Sequence, residues 1–121
     1  RWIPEDAMTF AGREKKRGNT YDAIILDPPA YGHGPDGSAW RSERDLSPLL
    51  ETCADILSGN PVFLVLNAYA KQDRPEDLTR LLHAVLAARK LRADIDAREL
   101  LLTSENGASL STGVTARCRI G

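Results

Sequence analysis

Cysteine is scarce in this sequence, with two residues among 121. Cys53 falls on an apolar stripe of helical spacing, and Cys118 falls in a strand-like run. Two isolated thiols are too few for a disulfide framework or for a cysteine-based metal cluster. We therefore expect no metal site, and a reducing, cytoplasmic location fits the composition best.

Long apolar runs and a strong charge imbalance are also missing. The longest apolar stretches, such as residues 61–66, are far shorter than the roughly 20 residues that span a bilayer, and no signal-like leader precedes them. Sixteen basic and seventeen acidic residues give a formal net charge of -1. The composition predicts no membrane segment, and only a local patch could attract nucleic acid.

Two short apolar runs of strand length are present, at residues 21–26 and 61–66. A continuous apolar run of this length between turn signals is typical of a buried parallel strand. Between the two runs, apolar residues recur at helical spacing from Leu46 to Leu57. The strand–helix–strand order predicts two parallel strands joined by a right-handed crossover.

The second half of the chain begins with a predicted helix. Asp73 and Glu76 have the spacing of a capping box, and residues 78–86 carry an apolar repeat of three and four. Two further strands follow, joined by an Asn-Gly hairpin signal, at residues 94–103 and 110–120. We predict one α/β domain over residues 1–121: a partial Rossmann-like sheet of four strands with flanking helices and a C-terminal antiparallel hairpin.

The motif Asp27-Pro28-Pro29-Ala30-Tyr31 directly follows the first predicted strand. Open parallel sheets bind their ligands at the carboxyl ends of the strands. A carboxylate and prolyl carbonyls accept hydrogen bonds, prolines fix the backbone, and an aromatic ring can stack on a planar group. Asp27, Pro28, Pro29 and Tyr31 are therefore the candidate catalytic residues.

The stretch YDAIILDPPAYGHG resembles motif IV of class I S-adenosylmethionine (SAM)-dependent methyltransferases, in the DPP-x-aromatic form of the large-subunit ribosomal RNA methyltransferases. Residues 2–7 resemble motif III of the same family. The resemblance implies that Asp6 and Ala7 bind the adenine of SAM and that Asp27 lies between cofactor and methyl acceptor. Because the glycine-rich motif I is missing and the chain opens at Arg1, we expect the C-terminal part of a single catalytic domain.

Five residues near these strands are candidate substrate contacts. Tyr31 could stack on a base, and His33 could act as a general base or contact a phosphate. Trp40 beside Arg41 could combine stacking with charge pairing, or could anchor the loop. Asn67 follows the second predicted strand, where related enzymes often have a pocket residue.

The cysteines also bear on the methyl acceptor. Methylation of a pyrimidine carbon commonly uses a cysteine nucleophile at the carboxyl end of a strand, and neither Cys53 nor Cys118 lies at such an end. Transfer to a nitrogen or oxygen remains, and a nucleobase nitrogen in ribosomal or other RNA is favoured. The basic cluster at residues 13–17 offers a patch for RNA phosphate, although such a run is more often a solvated helix face.

Two alternatives remain open. Gly32, Gly34 and Gly37 match the G-x-G-x-x-G pattern of dinucleotide-binding turns, but they follow a Pro-Pro break without an immediate helix, so a flexible glycine loop acting as a lid is the simpler interpretation. Alternatively, the chain is a non-catalytic fragment or interaction module. In that case the strand at residues 21–26 leaves an apolar edge open, through which copies could associate as a homo-oligomer.

Overall fold

A computed structural model describes residues 2–34 and 36–121 of the chain. These residues form three helices and six strands, in the order α1 (Ala7–Arg17), β1 (Ala23–Leu26), β2 (Tyr31–His33), β3 (Ala39–Arg41), α2 (Ser42–Asp55), β4 (Phe63–Ala68), α3 (Pro75–Ala87), β5 (Ala93–Thr103) and β6 (Ser109–Ile120). None of these helices is both long enough and apolar enough to cross a membrane.

Four strands form the main sheet, in the order β1-β4-β6-β5. β1 runs parallel to β4, with Leu26 opposite Leu66, and β6 runs antiparallel to both β4 and β5. The predicted four-stranded sheet, its parallel first pair and its terminal hairpin are confirmed. The boundaries differ slightly, because β1 begins at Ala23 and β4 continues to Ala68.

The core lies between one face of the main sheet and the helices. Along β4 the side chains alternate, so that Leu64 and Leu66 are buried while Phe63 is 37% exposed. Burying a leucine side chain contributes about 1.5–3 kcal/mol, so this packing holds the helices on that face. The largest fully buried side chains are Leu50, Leu64, Leu66, Leu82, Leu86 and Cys118. On the opposite face Ile25 is 68% exposed, and no helix of the described residues covers it.

Helix α1 is capped at both ends and tied to the start of β1. The Asp6 carboxylate accepts a hydrogen bond of 2.8 Å from the Thr9 backbone N–H, and Gly18 ends the helix in the left-handed conformation with φ +72°. The buried Glu14 carboxylate accepts a hydrogen bond of 2.6 Å from the Tyr21 hydroxyl. This contact fixes the angle at which the chain enters the sheet.

Helix α3 begins one residue later than the sequence predicted. Its first residue is Pro75, and the preceding Arg74 makes no side-chain capping bond. The Asp73 carboxylate accepts instead from the Ala70 backbone N–H, at 2.7 Å. The predicted capping box of Asp73 and Glu76 is wrong because proline, with its fixed φ and no N–H, suits the first helical position.

The glycine-rich segment after β1 forms an antiparallel hairpin of β2 and β3, rather than the flexible loop that the sequence predicted. The turn is tight: the Gly34 backbone N–H donates to the Ser38 carbonyl at 2.8 Å, and Gly37 has φ +80°. Helix α2 begins only at Ser42, after a complete strand. The dinucleotide alternative through Gly32, Gly34 and Gly37 loses its basis, because among the described residues a strand, and not a helix amino terminus, follows these glycines.

Candidate active site

β1 and β4 are parallel neighbours, so their carboxyl ends lie side by side at the same end of the main sheet. Asp27 directly follows β1, and Asn67 lies inside β4, one residue beyond the paired Leu26 and Leu66. The sequence prediction that Asn67 follows its strand is therefore wrong by two residues. The pairing of β4 with β6 causes this difference, because Asn67 and Ala68 pair with Thr115 and Val114.

The Asp27 carboxylate is held by two donors from β4 and the residue after it. The Asn67 side-chain amide donates to Asp27 Oδ1 at 3.1 Å, and the Tyr69 hydroxyl donates to the same oxygen in a short contact. The Tyr69 bond and then the Asn67 bond lower the pKa of Asp27, because both stabilise the charged form. Asp27 is therefore an ionised hydrogen-bond acceptor at neutral pH.

Tyr69 is the site residue that the sequence predictions missed. Its hydroxyl bond to Asp27 raises the pKa of Tyr69, since a phenol is harder to ionise beside a carboxylate. The sequence did contain a signal for Tyr69. This residue comes two residues after Asn67 and follows β4, the strand that pairs with β1. The sequence patterns identified it only as the end of a strand.

The Pro-Pro segment is held in place by the β2–β3 hairpin. The Trp40 indole N–H donates to the Pro29 carbonyl at 2.7 Å, and the Ser42 backbone N–H donates to the Ala30 carbonyl at 3.1 Å. Trp40 is half-buried and packs against the core. Of the two roles that the sequence left open for Trp40, these contacts are those of a loop anchor, and they fix the backbone just after Asp27.

Three candidate substrate contacts lie together on the exposed hairpin. The Tyr31 hydroxyl and His33 Nε2 share a hydrogen bond of 2.9 Å, with the two rings edge to face at 5.0 Å between centroids. Arg41 pairs directly with Tyr31 across the hairpin. Tyr31 is 55% exposed, so this surface presents an aromatic ring, an imidazole and a guanidinium beside the Asp27 motif.

An apolar groove of about 380 Å³ runs between α1 and the outer edge of β1. Ala7 and Leu26 both line it, so it touches the sequence neighbours of both Asp6 and Asp27. Phe10 and Ile24 are among its other lining residues. The Asp6 carboxylate itself caps α1, and its role toward a cofactor stays a prediction.

Both cysteines are buried in the core. Desolvation raises the pKa of Cys53 and of Cys118 to about 11, so neither is a thiolate at neutral pH. This burial supports the expectation that neither cysteine acts as a nucleophile, which stays a prediction. Within residues 2–34 and 36–121, no cluster of three His, Cys, Asp or Glu side chains could hold a metal ion.

The basic cluster at residues 13–17 is largely neutralised by contacts within the chain. Lys15 pairs with Asp55 at 2.6 Å, and Arg17 pairs with Glu14 at 3.2 Å. Arg13 pairs with Glu5 and lies 5.5 Å from the centre of the Phe10 ring. These contacts support the interpretation of the cluster as a helix surface rather than as a phosphate track.

Three solved structures resemble the chain. A SAM-dependent methyltransferase from Agrobacterium tumefaciens is 34% identical, with a TM-score of 0.86, and the match covers 98% of this chain and 39% of that protein. SMU.776, assigned as a methyltransferase and solved with SAH, is 17% identical with a TM-score of 0.71, over 97% of this chain and 30% of its own. The M1.HpyAVI–SAM complex is 13% identical with a TM-score of 0.53, over 94% of this chain and 51% of its own.

The chain thus spans about two fifths of the Agrobacterium protein. Over that span it has the mixed α/β fold of a SAM-dependent methyltransferase, with parallel strands and a terminal antiparallel hairpin. No protein-family model and no curated protein matches the sequence.

Proposed function

We propose that this chain is the acceptor-binding part of a SAM-dependent methyltransferase that methylates a nucleobase nitrogen in RNA. The observation that carries the proposal is the Asp27 carboxylate, which Asn67 and Tyr69 hold at the carboxyl ends of two parallel strands. The 34% identity to the Agrobacterium methyltransferase across nearly the whole chain supports the reaction class.

The chemistry of Asp27 favours an acceptor that carries a hydrogen-bond donor. An ionised carboxylate only accepts hydrogen bonds, so it would bind an N–H group and orient the nitrogen. Its lowered pKa makes it a weak base, so it orients the acceptor more than it removes a proton. When bound, SAM supplies an electrophilic methyl group, and this chain contributes the positioning of the nitrogen.

The groove beside α1 fits the adenine end of SAM. Its walls at Phe10 and Ile24 are apolar, as a planar ring requires. The backbone N–H of Ala7 belongs to the first helical turn, where amide groups have no partner within the helix, so it can donate to a ring nitrogen. Asp6 adds a carboxylate that can accept from the adenine amino group.

An RNA acceptor is supported by the exposed hairpin surface of Tyr31, His33 and Arg41. Single-stranded bases stack on aromatic rings and on guanidinium planes, and a guanidinium also pairs with phosphate. Tyr31 and His33 lie on β2, which closely follows Asp27 in sequence, and Arg41 on β3 pairs with Tyr31. Asn67 would affect a bound base indirectly, because its side-chain amide donates to Asp27.

The test measures methyl transfer by the full-length protein. Radiolabelled SAM and total RNA are the substrates, and Asp27→Ala is compared with Asp22→Ala, an exposed carboxylate at the opposite end of β1. We expect Asp27→Ala to abolish transfer and to leave the cofactor dissociation constant within a few-fold, while Asp22→Ala transfers normally. Unchanged turnover in Asp27→Ala would remove that residue from the mechanism.

A non-catalytic interaction module is the second candidate, and the open edge of β1 favours it. β1 is the outermost strand of the main sheet on its side, and Ile25 on this strand is 68% exposed. Copies of the chain could pair through this edge. Light scattering tests this alternative: Ile25→Lys should dissociate such a dimer, whereas Leu102→Lys, which replaces an exposed apolar side chain on another strand, should leave it intact.

A further inference from the structure

Tyr69 lies against the backbone of β6 at a position where β6 has no side chain. Ala68, the last residue of β4, pairs with Val114, and Gly113 directly precedes Val114 in β6. A Cβ on Gly113 would lie 2.5 Å from the Ala68 carbonyl oxygen and 2.8 Å from Tyr69 Cδ1. Gly113 also has φ +150°, which favours glycine. Because Gly113 has no side chain, a gap remains beside its Cα, and the Tyr69 ring occupies this gap.

The two donors to Asp27 converge on one of its oxygens. Asn67 and Tyr69 are two residues apart, and both donate to Oδ1. Within the described residues, no donor of the chain bonds the second oxygen, Oδ2. Two bonds to one oxygen restrict rotation of the carboxylate and leave Oδ2 as the oxygen that an acceptor group can reach.

We infer that Tyr69 is a positioning residue for methyl transfer, which holds the Asp27 carboxylate in one orientation and is itself seated by the gap at Gly113. The inference rests on the proposed function, because it assigns Tyr69 a role only through Asp27. Tyr69 does not need to touch the substrate. By restricting rotation of the Asp27 carboxylate, Tyr69 keeps Oδ2 directed at the acceptor nitrogen.

Tyr69→Phe keeps the ring and removes only the hydroxyl, so the packing on Gly113 is retained. The variant leaves Asn67 as the single donor to Oδ1. We expect the turnover number to fall by about ten-fold, because one hydrogen bond to a charged group is lost. The KM for SAM should stay unchanged, and the acidic limb of the turnover–pH profile should move to higher pH.

The matched control is Tyr21→Phe. Tyr21 also donates its hydroxyl to a carboxylate, but to that of Glu14, at 2.6 Å, rather than to Asp27. The direct measurement is a carboxyl ¹³C NMR titration of Asp27 in this chain. The pKa of Asp27 should rise toward its ordinary value of about 3.9 in Tyr69→Phe and stay unchanged in Tyr21→Phe.

The outcomes separate the inference from the proposed function. An identical Asp27 titration in Tyr69→Phe and wild type would overturn the contact and with it the positioning role. A shifted titration with unchanged turnover would overturn the role while leaving the contact in place. If the shift appears but Asp27→Ala still transfers methyl groups, the proposed function fails, and the role that rests on it fails as well.

Discussion

The side-chain amide of Asn67 donates to Oδ1 of Asp27 over 3.1 Å, which joins the ends of two neighbouring parallel strands. The residues are 40 positions apart in the chain and meet because Leu26 pairs with Leu66. A register slip of one residue would turn Asn67 to the other face of the sheet. The site geometry therefore depends on the same strand register that buries Leu64 and Leu66.

Gly113→Ala should destabilise the chain by about 2–4 kcal/mol, from backbone strain and from overlap of the new Cβ with Ala68 and Tyr69. The clash is specific, with 2.5 Å to the Ala68 carbonyl oxygen. Urea denaturation followed by circular dichroism measures the change.

The control for this substitution is Gly12→Ala. Gly12 lies inside α1, where an added Cβ meets nothing within 4 Å, and alanine is the better helix former. This variant should gain about 0.5–1 kcal/mol of stability. Equal destabilisation of both variants would contradict the structural explanation for Gly113.

Asp45→Asn should remove part of the stability at neutral pH and little of it near pH 2. The Asp45 carboxylate pairs with Arg44 at 2.7 Å and accepts from the Arg41 backbone N–H at 2.8 Å. These bonds lower the pKa of Asp45 to about 2. A carboxyl whose pKa is lower in the folded state stabilises the fold above its unfolded pKa of about 3.9, and this stabilisation is lost as the pH falls through the folded value.

The measurement for Asp45 is the urea midpoint at several pH values between neutrality and pH 2. The wild type and Asp45→Asn should differ at pH 6 and converge at the acidic end. A constant difference across the whole range would show that Asp45 acts through packing rather than through its charge.

This chain by itself should bind SAM with a dissociation constant of roughly millimolar or worse, equivalent to about 4 kcal/mol or less. Among the residues that the structure describes, candidate contacts exist only for the adenine end of SAM, at Asp6 and Ala7. Two hydrogen bonds of about 1 kcal/mol each with partial stacking do not offset the several kcal/mol lost when a ligand is immobilised. Isothermal titration up to millimolar SAM decides the point, and a micromolar constant would mean that the chain builds a complete cofactor site.

The two thiols should react slowly with a colorimetric thiol reagent in the native chain and rapidly in guanidinium chloride. Cys53 is 5% exposed and Cys118 1%, and burial raises both pKa values to about 11. Reaction of the native protein should therefore follow its unfolding. Fast reaction of either thiol under native conditions would place that cysteine at the surface and reopen a nucleophilic role.

Local patterns in the sequence were enough to predict most of the fold and to propose Asp27 as a site residue. The apolar runs at residues 21–26 and 61–66 became β1 and β4, and the Asn-Gly signal became the β5–β6 hairpin. Asp27 was identified because a carboxylate before two prolines at the end of a strand is a signal carried by adjacent residues. Such a signal can be recognised without knowing how distant parts of the chain pack.

The tertiary structure decided the features that depend on residues far apart in sequence. Strands of three residues are too short to show periodicity, so only the tertiary structure shows the pairing of β2 with β3. The same hairpin brings the Trp40 indole to the Pro29 carbonyl. The pairing of β4 with β6 and the gap at Gly113 place Tyr69 beside Asp27. The sequence by itself determined the four strands of the main sheet, the helices α2 and α3 and the candidate carboxylate Asp27, because propensity and periodicity are local. The partners of that carboxylate were decided by strand register, which only the packed sheet defines.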